Sequence, residues 1–234
     1  PAGRGRGAAR ILAMRIMFVC SEVAPYSKTG GLGDVGSALP AALAAAGHEV
    51  MVVTPLYRQV REGGHQEYPE PDLVDIPISL GPRVVDFSVW RSLDGRTWFI
   101  DVPHLYDRAA IYTQDADEHT RFIVLSRAAL ELANRVGFSP DIIHCNDWQT
   151  ALLPVVMKTQ FGWDRLFANT KTVLTLHNLG HQGTFGSHVL PETGLGDSPH
   201  LFHQDELREG RVGFLLTGLL YADAITTVSP TYAR

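Results

Sequence analysis

A run of glycines beside a lysine is the first feature of this sequence whose residue types suit chemistry. Residues 28–36 read K-T-G-G-L-G-D-V-G and precede an Ala/Leu-rich segment of helical character. Glycines at the start of a helix let backbone N–H groups approach a phosphate, at the positive end of the helix dipole. Because Lys28 adds a positive charge, the run predicts an anion-binding loop. The alternative is a glycine-rich turn that only packs a helix against a sheet.

Two known phosphate-binding motifs match this run poorly. Residues 31–36 have the spacing G-x-G-x-x-G of dinucleotide sites, but about ten residues separate them from the preceding strand, which ends at Cys20. The second strand ends at Thr54-Pro55, without the acid that a dinucleotide site requires. These departures disfavour an NAD-dependent oxidoreductase. The loop G-x-x-x-x-G-K-[ST] is excluded because the lysine precedes the glycines.

A second group of candidates follows two apolar runs that read as buried strands. Asp147 and Trp148 come after residues 141–144, and His177 comes after residues 172–176. The carboxyl ends of parallel strands meet at one edge of a sheet, where a sugar would find hydrogen-bonding groups and an aromatic face. Two plainer interpretations stay open: Asp147 only caps the helix that follows it, and His177 only satisfies a loop carbonyl. No metal site is predicted, because glycines interrupt the histidines and no cysteine or acidic cluster is near.

The hydrophobic pattern predicts the scaffold that positions these residues. Apolar runs alternate with helical segments, which indicates right-handed βαβ units and an α/β fold with a Rossmann-like, doubly wound, mostly parallel sheet. Residues 84–91 and 97–101, joined by the turn at Asp94-Gly95, predict a β-hairpin insertion. The predicted strands are 16–20, 50–54, 141–144, 172–176 and a buried strand 224–228, and the predicted helices are 32–46, 117–136, 148–159 and 206–221.

The composition narrows the class of protein. The chain has 234 residues, 45% hydrophobic and 19% charged, with a net charge of −5. This composition fits a globular domain. The negative net charge does not suggest binding to nucleic acid or to an anionic membrane. Its two cysteines, Cys20 and Cys145, end predicted strands, so we expect no disulfide framework and a reducing cytoplasm. No apolar run approaches membrane-spanning length.

Residues 1–13 are expected to be a disordered leader or upstream sequence before a domain over 14–234. The pattern of strands and helices breaks off at the end of that domain, as it would in a fragment.

Five segments together resemble the family of bacterial glycogen synthases and plant starch synthases. They are S-E-V-A-P at 21–25 with the glycine run, P-H-L-Y-D-R at 103–108, H-C-N-D-W-Q-T at 144–150, H-N-L-G-H-Q-G at 177–183, and A-D at 222–223 through V-S-P at 228–230. The resemblance runs from about residue 14 to residue 234.

The resemblance implies a two-domain glycosyltransferase of GT-B type. This chain would be its N-terminal, acceptor-side half, and the nucleotide-binding C-terminal domain would be absent from the chain. The implied reaction is the retaining transfer of glucose from ADP-glucose to the non-reducing 4-OH of an α-1,4-glucan or maltooligosaccharide. The implied partners are this donor, this acceptor and the chain's own C-terminal domain, with no cofactor, in the cytoplasm or, for a plant source, the plastid. The isolated chain is expected to be inactive.

The resemblance also assigns roles to single residues. The catalytic residues would be His177, Asp147 and Lys28, and the substrate-binding residues would be Lys28, Gly30, Gly31, Asp34, Tyr112, Asn178 and Gln182, with no metal ligand. For Tyr112 the alternative is an ordinary surface tyrosine.

Three positions depart from the family pattern. His181 stands where the family often has tyrosine, Leu216 where it usually has lysine, and Gly213 where it often has asparagine. These departures keep two alternatives open: a catalytically silent relative that binds glucan or regulates, and a related transferase that uses UDP-glucose.

Overall fold

A computed structural model gives the fold and describes residues 12–63, 70–231 and 233. The leader predicted over residues 1–13 lies outside the described residues except for positions 12 and 13. The strands are β1 Arg15–Val19, β2 Glu49–Pro55, β3 Leu73–Leu80, β4 Arg83–Arg91, β5 Thr97–Asp101, β6 Ile142–Asn146, β7 Lys171–Leu176, β8 Thr184–Gly186, β9 Arg211–Gly213 and β10 Ala224–Thr227. The α-helices are α1 Gly31–Ala45, α2 Arg58–Glu62, α3 Pro103–Tyr106, α4 Glu118–Arg135, α5 Leu153–Gln160, α6 Gln204–Arg208 and α7 Phe214–Tyr221.

Eight strands form one sheet in the order β10-β7-β6-β1-β2-β5-β4-β3. The pairs from β10 to β5 are all parallel, and β5-β4 and β4-β3 are antiparallel. The predicted α/β class and mostly parallel sheet are therefore confirmed. The predicted hairpin is also present, but it extends the main sheet, because β5 pairs with β2 on its other side, and β3 continues it by one more strand.

Helices cover the two faces of the sheet because side chains alternate between faces along each strand. Phe18 of β1 and Val52 of β2 belong to a small buried cluster that packs with α1. Val19 and Val53, one position further along β1 and β2, belong to the large cluster that contains the buried side chains of α4 and α5. Cys20 and Cys145 are both buried and unpaired, as expected.

At the C-terminal end one predicted helix is wrong, and one predicted strand is present but not buried. The helix predicted over 206–221 is interrupted: α6 ends at Arg208, Gly210 has a left-handed φ of +72°, and β9 pairs with β8 before α7 begins. The strand predicted as buried over 224–228 exists as β10, but Ile225 is 50% exposed, because β10 lies at the edge of the sheet. Among the described residues, no helix is long and apolar enough to cross a membrane.

Candidate active site

An open cleft of about 1410 Å³ lies at the carboxyl ends of β1, β6 and β7. Its lining comes from the loop after β1 and the start of α1, the segment before α4 with the first residue of α4, the turn after β6, the loop after β7 and Val228 after β10. This is the edge of the sheet at which the candidate site residues were predicted to lie. Seven of the predicted residues line the cleft: Gly30, Gly31, Tyr112, Asp147, His177, Asn178 and Gln182.

The turn after β6 fixes the start of the loop after β7. Asp147 Oδ1 accepts hydrogen bonds from the backbone N–H groups of His177 (2.7 Å) and Asn178 (3.4 Å). Its side chain makes no capping bond to the short helix Trp148–Thr150, so the interpretation of Asp147 as a side-chain cap is wrong. Asp147 has a φ of +54° and a ψ of −171°, a sparsely populated conformation that costs a non-glycine residue about 1–3 kcal/mol. No hydrogen bond among the described residues uses its Oδ2, which leaves that oxygen for a ligand.

His177 is held as a neutral imidazole. Its Nε2 lies 3.0 Å from Asn146 Oδ1, and because an amide oxygen only accepts, Nε2 carries the proton and Nδ1 can accept one. Burial lowers the pKa of His177, and the carboxylate of Asp147 opposes that shift only in part. Burial likewise raises the pKa of Asp147. The cleft therefore contains a neutral imidazole, that of His177, and the carboxyl group of Asp147, which holds the loop after β7 in place.

Glu22 is a cleft residue that the sequence analysis missed. Its buried carboxylate accepts hydrogen bonds from the N–H of Thr29 (2.6 Å), the hydroxyl of Thr29 (2.8 Å) and the N–H of Gly30 (3.1 Å). The amide of Gly30, which the sequence assigned to a phosphate, is thus already bonded to a carboxylate of the chain. The only signal in the sequence was an acid directly after a buried strand, in the segment S-E-V-A-P.

Tyr112 lies in the cleft and contacts Glu22. Its hydroxyl donates to Glu22 Oε1 at 2.7 Å and lies 2.9 Å from the hydroxyl oxygen of Ser21. Burial raises the pKa of Tyr112 well above its usual value, so the hydroxyl stays protonated and can donate. The interpretation of Tyr112 as an ordinary surface residue is therefore wrong.

Lys28 and Asp34 are brought together, but outside the lining of the cleft. Lys28 Nζ lies 2.7 Å from Asp34 Oδ1, and the two side chains are 48% and 60% exposed. Such an exposed pair contributes only about 0–1 kcal/mol to stability. Lys28 can therefore exchange this partner for a ligand phosphate at little cost.

The other two predicted contacts are local. Asn178 Oδ1 accepts from the N–H of Gly180 at 2.9 Å, and Gln182 Nε2 donates to the carbonyl of Leu179 at 3.3 Å. Among the described residues that line the cleft, neither Leu216 nor Gly213 is found. No group of three or more His, Cys, Asp or Glu side chains suited to a metal occurs in the described part of the chain.

The fold and the cleft define a class of protein: an open α/β sheet with a polar cleft at its carboxyl edge, between a glycine-rich helix start and a histidine. The family model described as the starch synthase catalytic domain matches residues 15–234. The chain belongs to this family, and the resemblance drawn from its motifs is confirmed.

Relatives and a solved structure agree with this assignment. The chain is 43% identical to the glycogen synthase of Anaeromyxobacter sp. (strain Fw109-5), over 94% of this chain and 46% of that protein. It is also 43% identical to the glycogen synthase of Myxococcus xanthus (strain DK1622), over 94% and 47%. The catalytic domain of starch synthase IV from Arabidopsis thaliana, bound to ADP and acarbose, is similar with a TM-score of 0.81 and 30% identity, over 94% of this chain and 46% of that one. The chain spans about half the length of these proteins.

Proposed function

We propose that the chain is the acceptor-side half of a glucan synthase that transfers glucose from ADP-glucose to the non-reducing 4-OH of an α-1,4-glucan, with retention of configuration. The observation that carries the proposal is the placement of His177 and Asp147 in one cleft with the glycine-rich start of α1. ADP as the donor nucleotide is supported by the similar plant structure, which is described as bound to ADP and acarbose.

The glycine loop would stabilise the diphosphate that leaves the glucose. Negative charge develops on that group as the glycosidic bond breaks, and preorganised donors near it lower the barrier. Lys28, released from its exposed pair with Asp34, would supply the positive charge, and Asp34 would be left free to contact the acceptor or the loop. Gly31 would supply its backbone dipole at the positive end of α1. Gly30 would add its own dipole, although its N–H group already donates a hydrogen bond to Glu22.

His177 and Asp147 would position the glucose. The neutral imidazole offers an acceptor at Nδ1, and Asp147 Oδ2 offers a second acceptor, so both suit sugar hydroxyls. Tyr112, Asn178 and Gln182 would complete the substrate contacts from the two loops that border the cleft. The reduced, buried cysteines suit a cytoplasmic enzyme.

The remaining half of the reaction site would come from a nucleotide-binding domain. The relatives are about twice as long as this chain, and a family member needs groups for the adenosine and for the far side of the diphosphate. We therefore expect the isolated 234 residues to bind glucan without extending it. Glucan synthesis by the isolated chain would contradict this part of the proposal.

The donor is tested with the gene product in which this chain occurs. ADP-glucose and UDP-glucose are offered separately at equal concentration, incorporation into glycogen is measured, and the anomeric configuration of the new linkage is read by NMR. The proposal expects incorporation from ADP-glucose at least about tenfold faster than from UDP-glucose, and α linkages. Faster incorporation from UDP-glucose would overturn the donor assignment, and glucan binding without incorporation from either donor would indicate a silent relative.

A further inference from the structure

Arg121 of α4 is a fully buried cation with few polar partners. Its Nε donates to the carbonyl of Leu105 at 2.9 Å and its Nη1 donates to Glu118 Oε2 at 2.7 Å. Among the described residues its Nη2 has no hydrogen-bond partner. Three aromatic rings surround the guanidinium, with centroids 5.5–6.0 Å from Cζ: Tyr57, Tyr106 and Phe122.

Stability alone does not account for this ion pair. Burying two charges costs more desolvation free energy than their attraction reliably returns, and apolar side chains of similar volume often serve as well. Cation–π contacts with the three rings lower the cost for Arg121, but they do nothing for Glu118. What the pair does achieve is a fixed position for the carboxylate of Glu118, which lines the cleft.

Glu118, held in this position, binds the segment that contains Tyr112. Its Oε1 accepts from the N–H of Thr113 at 3.2 Å and its Oε2 accepts from the hydroxyl of Thr113 at 2.7 Å. The adjacent Tyr112 donates to Glu22, which in turn holds the start of the glycine loop. Arg121 therefore stands at the end of two sets of hydrogen bonds, Arg121–Glu118–Thr113 and Tyr112–Glu22–glycine loop, which the peptide bond between Tyr112 and Thr113 joins.

The same arginine fixes the other end of this segment. Besides the bond to the carbonyl of Leu105, the hydroxyl of Tyr106 donates to the carbonyl of Arg121 at 2.7 Å. The stretch from Tyr106 to Thr113 is thus tied to Arg121 directly at one end and through Glu118 at the other. Tyr112 reaches the cleft from within that stretch.

We propose that Arg121 is a positioning residue of the cleft: by holding Leu105 and Glu118, it places Tyr112 on Glu22 and so sets the affinity for a glucan that it does not touch. The role of the glucan rests on the proposed function. The position of Tyr112 and Thr113 does not, and it can be measured separately.

The test replaces the ion pair without leaving a buried charge unpaired. Arg121→Met is combined with Glu118→Gln, because a neutral amide at position 118 is no longer anchored by a cation. Arg127→Met is the matched control: Arg127 lies on the same helix and bonds the carbonyl of Thr193 at 3.0 Å, away from the cleft. Two quantities are measured on the 234-residue chain: the exchange rate of the Thr113 amide hydrogen, and the Kd for maltohexaose by calorimetry.

We expect the Thr113 amide of the double variant to exchange at least about tenfold faster, and maltohexaose to bind at least about tenfold more weakly. Arg127→Met should stay within about twofold of the wild type in both. Because the groups act as one chain, Tyr112→Phe should add no further loss of affinity to the double variant. Thr113→Val removes the hydroxyl bond to Glu118 and leaves the ion pair and the Thr113 N–H bond in place. It should weaken binding in the same direction but to a smaller extent, and it decides the matter if the double variant does not fold.

Several results would overturn the inference. Thr113 exchange within twofold of the wild type in a folded double variant would show that Arg121 does not hold the segment. Losses of affinity that multiply when Tyr112→Phe is added, or a Thr113→Val variant with unchanged affinity, would show that Arg121 does not act through Tyr112. A wild-type chain that binds no maltohexaose would contradict the proposed function, and the exchange rates would still decide the role of Arg121.

Discussion

Gly183→Ala tests the packing of the cleft wall most sharply. Gly183 has a left-handed φ of +60°, and a Cβ built on it would lie 2.3 Å from Cε3 and 2.6 Å from Cδ2 of Trp148. The indole cannot easily move away, because it packs edge-on against Phe122, with ring centroids 4.9 Å apart, and at a tilt against Phe185, with ring centroids 5.7 Å apart. Both Gly183 and Trp148 line the cleft. The substitution therefore strains the backbone and overpacks the wall at once.

The size of the effect follows from these two contributions. A left-handed conformation costs alanine about 1–2 kcal/mol relative to glycine, and overpacking against a fixed neighbour costs about 1–3 kcal/mol. We expect Gly183→Ala to lower the free energy of unfolding by about 2–5 kcal/mol. Gly137→Ala is the matched control, since Gly137 has a φ of +66° and no described atom within 4 Å of its Cβ position; it should cost only the first contribution, about 1–2 kcal/mol.

Urea unfolding followed by far-UV circular dichroism gives both values. A third variant isolates the contact: in a Trp148→Leu background, Gly183→Ala should cost no more than Gly137→Ala does. Equal costs for Gly183→Ala and Gly137→Ala in the wild-type background would refute the close approach of Gly183 to the indole.

Three further predictions concern charged and titrating groups. Asp147→Asn keeps an oxygen acceptor and tolerates a positive φ, so its free energy of unfolding should stay within about 1 kcal/mol of the wild type. Glucose incorporation by the gene product should nevertheless fall at least about tenfold. Unchanged incorporation would show that Asp147 is not part of the site. Burial lowers the pKa of His144 to about 4, below its unfolded value of about 6.5. Because the unfolded chain binds more protons between these two values, stability should fall as the pH drops from 6.5 to 4, by about 2–3 kcal/mol more than in His144→Gln. Parallel curves of stability against pH for the two proteins would contradict this. Lys28→Ala removes only the exposed pair with Asp34 and should change stability by less than about 1 kcal/mol, yet reduce incorporation about 100-fold if Lys28 meets the diphosphate.

The central strands could be predicted from the sequence because each is a short apolar run. The predictions for 16–20, 50–54, 141–144 and 172–176 fall within one or two residues of β1, β2, β6 and β7. Such runs carry their own signal, since a strand buried on both faces has few polar positions. The three-residue strands β8 and β9 carry no such signal, because they exist only through pairing with each other across the long loop after β7.

The location of the cleft could be predicted from the sequence, but most of the contacts between its side chains could not. Asp147 and His177 follow adjacent strands, so the topology alone brings them to one edge. The contact between Glu22 and Tyr112 joins residues 90 positions apart, and no local pattern encodes it. The pairing of Lys28 with Asp34 depends on how the glycine loop turns, and glycines permit many paths.

The most direct test of the account compares two histidines in the gene product that contains this chain. Incorporation of glucose from ADP-glucose into glycogen is measured for His177→Ala and for His200→Ala, which removes an exposed histidine outside the cleft lining. The account predicts that His177→Ala lowers kcat at least about 100-fold, because the glucose loses its positioning contact, and that His200→Ala stays within twofold of the wild type. A folded His177→Ala enzyme with wild-type kcat and KM would contradict the assignment of this cleft as the site of glucosyl transfer.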